Sequence, residues 1–245
     1  MSRKIIGTCA ALVVLAAFAV APAVSSAAFL KETVGGAPLV IPSGAPVVAY
    51  NEAGTSVKLN AGAFTIECNE VILTGKVHAN HDVNGNVLVT IEDVWFRGDE
   101  PLETRCTDNG TPAKVLIPAI TNEGGKQHWC IKNPFGTDEF LLEPWNCTEA
   151  GGQEFTFVIV TTGMTCAYHR AASLKGTVTT GDIENKPVTF KMNPGQELIR
   201  EVTSPVICPE VVKVENFLFE MYTDTAPTGA IYRHAGSVAD PIFLE

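Results

Sequence analysis

The side chains best suited to chemistry are few and scattered. His78-Ala79-Asn80-His81-Asp82 brings histidine, asparagine and aspartate, all able to ligate metal, into one short stretch. A zinc or similar ion needs three or four such groups converging on one point. The stretch ends an alternating apolar run, and strand residues three apart point to opposite faces. His78 and His81 therefore diverge, and the cluster reads as polar residues approaching a turn. Asp82-Val83-Asn84-Gly85-Asn86 echoes a calcium loop. Its glycine stands fourth instead of sixth, and Asp93 replaces the glutamate expected at the twelfth place. No metal ligand is assigned.

A glycosidase holds two carboxyl groups at a controlled separation, and Glu92-Asp93 with Glu139 could supply them. Glu92-Asp93 also interrupts an alternating pattern, as a bulge or strand bend does. Trp95, Trp129 and Trp145 could stack on sugars, but core packing beside cysteines accounts for them more simply. The chain after residue 28 has no GxSxG elbow and no SxxK. It has no phosphate-binding glycine loop either. His128, His169 and His234 stand alone in the sequence, with no serine to pair them. No catalytic, cofactor-binding or metal-binding residue is assigned, no cofactor is implied, and an enzyme is the less favoured reading.

The cysteines carry more information. There are seven, and Cys9 lies in an amino-terminal targeting segment. Arg3 and Lys4 start that segment, Ile5 to Val24 is apolar or small, and Ser25-Ser26-Ala27-Ala28 offers small residues for cleavage. Residues 1–28 read as a signal peptide, and residues 29–245 as one exported domain with no membrane span after cleavage. Six cysteines remain: Cys68, Cys106, Cys130, Cys147, Cys166 and Cys208. An even number in an exported chain implies a disulfide framework. None of them forms the close CxxC pair of a zinc or redox site. Without Arg3 and Lys4, 15 basic residues face 27 acidic ones, a charge of −12. That excess argues against nucleic acid, which requires clustered positive charge, and against a polybasic membrane surface.

The elements that must position these residues are strands. Residues 71–79 and 87–95 alternate apolar and polar, with Val83-Asn84-Gly85 between them as a turn signal. A three-residue loop at 83–85 predicts Val77 opposite Ile91, Ala79 opposite Val89 and Leu73 opposite Trp95, with Gly85 left-handed. A second hairpin is expected across Gln127–Cys147, turning at Asn133-Pro134-Phe135-Gly136. Glu154–Thr161 is a candidate buried strand, and further strands fit at Met164–Tyr168, Ser173–Thr179, Pro187–Met192, Glu197–Val202, Val211–Tyr222 and Ala230–Arg233. Short strands fit at Pro46–Tyr50 and Thr55–Leu59, and the prolines within 28–62 suggest edge strands or connections in place of central strands. Many short strands between turn signals, with no sustained helical period, predict an all-β antiparallel sandwich or barrel.

Two brackets resemble one another weakly, within 62–121 and 154–233. Cys68, LTGKV and Cys106 match Cys166, LKGTV and Cys208. This match predicts pairing between sequence neighbours: 68–106, 130–147 and 166–208. A secreted or envelope-associated β protein with a binding, adhesive or surface-structural role is the leading expectation. A secreted polysaccharide hydrolase and a small-ligand carrier with a barrel cavity are the alternatives.

Overall fold

The computed structural model describes residues 29–34, 37–51, 54–97, 106–117, 129–134, 136–145, 147, 154–181, 187–223 and 242–244. Among them every regular element is a strand: β1 (Leu30–Val34), β2 (Ala37–Val40), β3 (Pro46–Asn51), β4 (Val57–Asn60), β5 (Thr65–Cys68), β6 (Glu70–Asn80), β7 (Val87–Arg97), β8 (Cys106–Asp108), β9 (Thr111–Leu116) and β10 (Trp129–Asn133). There follow β11 (Glu139–Glu143), β12 (Phe155–Thr161), β13 (Met164–Arg170), β14 (Leu174–Thr179), β15 (Val188–Met192), β16 (Gln196–Arg200), β17 (Val211–Glu215), β18 (Leu218–Thr223) and β19 (Ile242–Leu244). No helix among the described residues is long and apolar enough to cross a membrane.

The strands close into two antiparallel barrels. Barrel I runs β3-β6-β7-β10-β11-β14-β15-β18 and closes where β18 pairs with β3, Phe219 opposite Asn51. Barrel II runs β4-β5-β8-β9-β12-β13-β16-β17 and closes where β17 pairs with β4, Val214 opposite Leu59. Hairpins alternate between the two, so the chain passes eight times from one barrel to the other. The passages can be very short: Asn69 alone separates β5 from β6. The barrels therefore stack end to end across a shared waist. Closure removes every free edge from both sheets.

Alternation places one apolar set inside. Phe155, Phe157, Ile159 and Tyr168 fill barrel II together with the Cys68–Cys106 and Cys166–Cys208 disulfides, all buried. Phe96, Trp129, Phe140, Phe190 and Phe219 fill barrel I. One apolar cluster includes residues of both barrels. Two glycines let strands approach closely. A Cβ on Gly75 would lie 2.0 Å from the Thr90 carbonyl oxygen, and one on Gly176 would lie 2.2 Å from the Phe140 ring. The LTGKV and LKGTV motifs thus mark β6 and β14, the second and sixth passes of the meander.

The third link, Cys130–Cys147, makes the pairing that of sequence neighbours throughout, with S–S distances of 1.95, 2.07 and 2.04 Å in chain order. Gly85 is left-handed, with φ +82°. The predicted register of the first hairpin is wrong. Val77 faces Val89, Ala79 faces Leu88, and Trp95 faces Ile72. The Asp82 carboxylate accepts from the backbone N–H groups of Asn84 and Asn86, which widens the turn to residues 81–86. A further irregularity pairs Thr74 with Asp93 and Gly75 with Ile91, leaving Glu92 as the extra residue at the expected break. That bulge turns Trp95 outward, 45% exposed, so it does not pack in the core. Val211–Tyr222 is two strands, interrupted at Asn216, whose φ is +55°. β3 is not an edge strand: Pro46 is its first residue, where a missing N–H does no harm. The strand expected at Ala230–Arg233 and the signal peptide lie outside the described residues.

A three-stranded sheet, β19-β1-β2, lies against the outer end of barrel I. Asn80 fastens it there. Its side-chain amide donates to the carbonyls of Leu30 and Ile41, and its oxygen accepts from the Leu30 N–H.

Candidate functional site

The outer end of barrel II is asymmetric. Three of its hairpins turn tightly, at residues 61–64, 109–110 and 162–163, whereas β16 and β17 are joined by the loop 201–210. This loop is pinned along its length. Cys208 is bonded to Cys166 in β13. The Glu201 N–H donates to the Ala167 carbonyl, and the Ser204 hydroxyl both accepts from and donates to the Ala167 backbone. The Arg200 guanidinium donates to the carbonyls of Val206 and Cys208. Despite this anchoring, Val202, Val206 and Ile207 are 97%, 89% and 77% exposed.

Beside the loop, register builds a patch on the outer wall. The two-residue turn at Thr162-Gly163 sets Thr156 opposite His169 and Val158 opposite Ala167. His169 in turn faces Ile199, and Val158 faces Leu116. Glu154 precedes β12 and Glu201 follows β16, so both carboxylates reach toward His169 from diagonal positions. Glu154 Oε2 lies 2.6 Å from His169 Nδ1. One ligand atom from each of Glu154, His169 and Glu201 falls within 4.8 Å of the other two. The neighbouring cations point elsewhere: Arg170 donates to the carbonyls of Ala172, Ser173 and Glu197, and Arg200 is committed to the loop. Directly inside this wall, Tyr168 is fully buried. Burial pushes its hydroxyl up to about 12, against the opposing pull of Arg200.

Sequence reasoning treated His169 as isolated. The signal was present in the short Thr162-Gly163 turn, which fixes the β12–β13 register and hence the Glu154–His169 contact. Glu201 could not be added without knowing that β16 lies beside β13. The residues singled out in the sequence are held apart from this wall. His81 stacks on Phe29 with ring centroids 5.1 Å apart. Asp82 holds the turn; burial opposes its charge, but the side-chain and backbone hydrogen bonds of Asn86 and that of Asn84 keep its carboxyl below the usual range. Glu92 makes an ion pair with Lys76 at 2.5 Å. Glu139 begins β11 in barrel I. Trp129 is buried in the barrel I lumen, edge-on to Phe155 with centroids 4.9 Å apart.

That lumen contains a void of about 20 Å³, lined by apolar residues including Phe96, Trp129, Phe190 and Phe219. A water molecule would fit by size, but it needs two or more polar partners, and the lining supplies no such set. Pockets that take small ligands measure about 300–1,000 Å³, so the void gives a carrier reading no support.

Comparisons with protein-family models, with curated proteins and with solved structures each found no match to this chain.

Proposed function

We propose that this protein is an exported, non-catalytic binding protein that docks onto a protein partner through the loop 201–210. The observation that carries the reading is the exposure of Val202, Val206 and Ile207 on a loop held rigid by a disulfide and by Arg200. Three aliphatic side chains kept in water contribute nothing to folding, and exposed apolar side chains gathered on one anchored loop suit an interface. Because the loop is already ordered, binding sacrifices little further chain entropy. Glu201 and Glu210 flank the tip, and the chain carries a net charge of −10. Those charges favour a protein with an apolar cleft and a basic rim over an anionic lipid surface. Three disulfides and the apolar amino-terminal segment support export to an oxidising compartment.

The test compares labelled wild-type protein with V202S/V206S/I207S in saturable binding to exported proteins of the producing cell. The triple variant should lose affinity by about tenfold or more, as expected when a central apolar anchor is removed. Val83→Ser, at the fully exposed tip of the opposite end, should bind like wild type. Equal binding by the triple variant and wild type would overturn the proposal. So would loss confined to binding of neutral vesicles, or to self-association, because each assigns the loop a different occupant. Near-UV circular dichroism confirms that the variants are folded.

A further inference from the structure

We propose that Glu154, His169 and Glu201 form a binding site for a divalent transition metal, and that the metal is zinc. Their ligand atoms all lie within 4.8 Å of one another. Ligands around tetrahedral zinc sit about 3.4 Å apart when each bond is about 2.1 Å. Closing that difference takes side-chain rotation alone, since glutamate carries three rotatable bonds. The backbone beneath is fixed. His169 lies within β13, paired on both sides with Thr156 and Ile199. Glu201 is held by its N–H to Ala167 and by its carbonyl, which accepts from the Ser204 N–H. A site whose supporting backbone is already ordered loses little entropy on binding.

Charge points the same way. Among the described residues, neither Glu154 nor Glu201 has a lysine or arginine partner, and the two adjacent arginines bond to carbonyl oxygens instead. Two carboxylates gathered beside one imidazole, with no lysine or arginine between them, concentrate negative charge that a divalent cation would neutralise. The donor set selects the metal. Imidazole nitrogen favours zinc, copper and nickel over magnesium and calcium, and carboxylates are accepted by all of them. Of the favoured ions, zinc adapts most readily to three protein ligands with water in the remaining position. His169 and Glu154 are 29% and 46% exposed in their side chains, so water and ion can reach the centre. On metal binding, the Nδ1 nitrogen and the Glu154 oxygen now 2.6 Å apart exchange their hydrogen bond for coordination of the same ion.

Glu201 opens the loop 201–210, so the metal would join the wall to the loop, but the inference does not rest on what that loop binds. Isothermal titration of zinc chloride into chelator-treated full-length mature protein tests it with no partner present. Wild type should bind one equivalent. His169→Ala should lose about 100-fold in affinity, and Glu201→Gln and Glu154→Gln about tenfold each, in line with losses at zinc-site groups. His78→Ala, on β6, should titrate like wild type. Melting in the absence of metal checks that each variant is folded. Absence of zinc binding to wild type overturns the proposal, and so does undiminished affinity in His169→Ala. Tighter binding of calcium or magnesium than zinc also overturns it.

Discussion

Three buried or half-buried asparagines do the same work at three places. Asn51 donates to the carbonyls of Thr55 and Asn69, Asn80 to those of Leu30 and Ile41, and Asn133 to those of Thr137 and Glu139. In each case one side-chain amide satisfies two backbone oxygens where a ladder ends. Asn51 also accepts from the Val71 N–H at 2.7 Å. Asn51→Ala leaves those groups unpaired beside the waist, and each such group costs about 1–3 kcal/mol. A stability loss of about 3 kcal/mol is expected in urea titration, and Asn51→Asp should lose more, since it sets a charge against two carbonyls. Tyr168 gives a second prediction at this scale. Its hydroxyl is buried with no hydrogen-bond partner among the described residues, and its pKa is raised to about 12. An unfolded tyrosine ionises near 10. The folded state therefore holds this proton more tightly. Its contribution to stability is complete below about pH 10 and lost as pH rises toward about 12. Tyr168→Phe should leave neutral-pH stability unchanged or higher and should flatten the alkaline decline in a melting series.

At the level of strands and turns, glycine and register decide the outcome. Gly75→Ala brings a methyl group against the Thr90 backbone oxygen, which has no side-chain freedom to give way. Gly176→Ala meets the Phe140 ring and, at 2.3 Å, the Lys191 carbonyl oxygen. Both should lower the melting temperature, Gly75→Ala through a shift of the β6–β7 pairing that amide exchange at 87–91 would reveal. Removing the Cys166–Cys208 link as C166S/C208S frees a 42-residue loop. Chain entropy alone assigns that change about 3–4 kcal/mol, and the aliphatic tip of 201–210 should become the first site of proteolysis. Much at this scale was legible. Alternation and glycine turns located most strands, Glu92-Asp93 marked its bulge, and the match of the LTGKV and LKGTV brackets anticipated the pairing of neighbouring cysteines. The register of β6 on β7 was not, because it depends on Asp82 reaching two backbone N–H groups, which alternation does not encode. The Glu154–His169–Glu201 centre stayed hidden for a related reason: it needs three strands in order, and only β12 and β13 are sequence neighbours.

For the molecule as a whole, closure joins the first and last passes. Barrel I is sealed by β18 on β3, and barrel II by β17 on β4. These pairings link residues far apart in the chain, so closure carries a large loop entropy and folding should be slow, in the range of ms to s typical of non-local β folds. The two barrels share one apolar cluster and eight passages. They should therefore melt together, with the calorimetric enthalpy matching the van't Hoff enthalpy. Two resolved transitions would mean that the waist does not couple them.

Leu30 of β1 and Leu244 of β19 are paired partners in the small sheet at the outer end of barrel I. Strand pairing thus brings the two flanks of the double barrel side by side. A brief flexible linker could join Leu244 to Leu30, and the chain could be reopened at Asn109-Gly110, an exposed turn already in the left-handed region. Such a circular permutant would carry its new ends at the outer end of barrel II, across that barrel from the loop 201–210, with every strand pairing among the described residues kept.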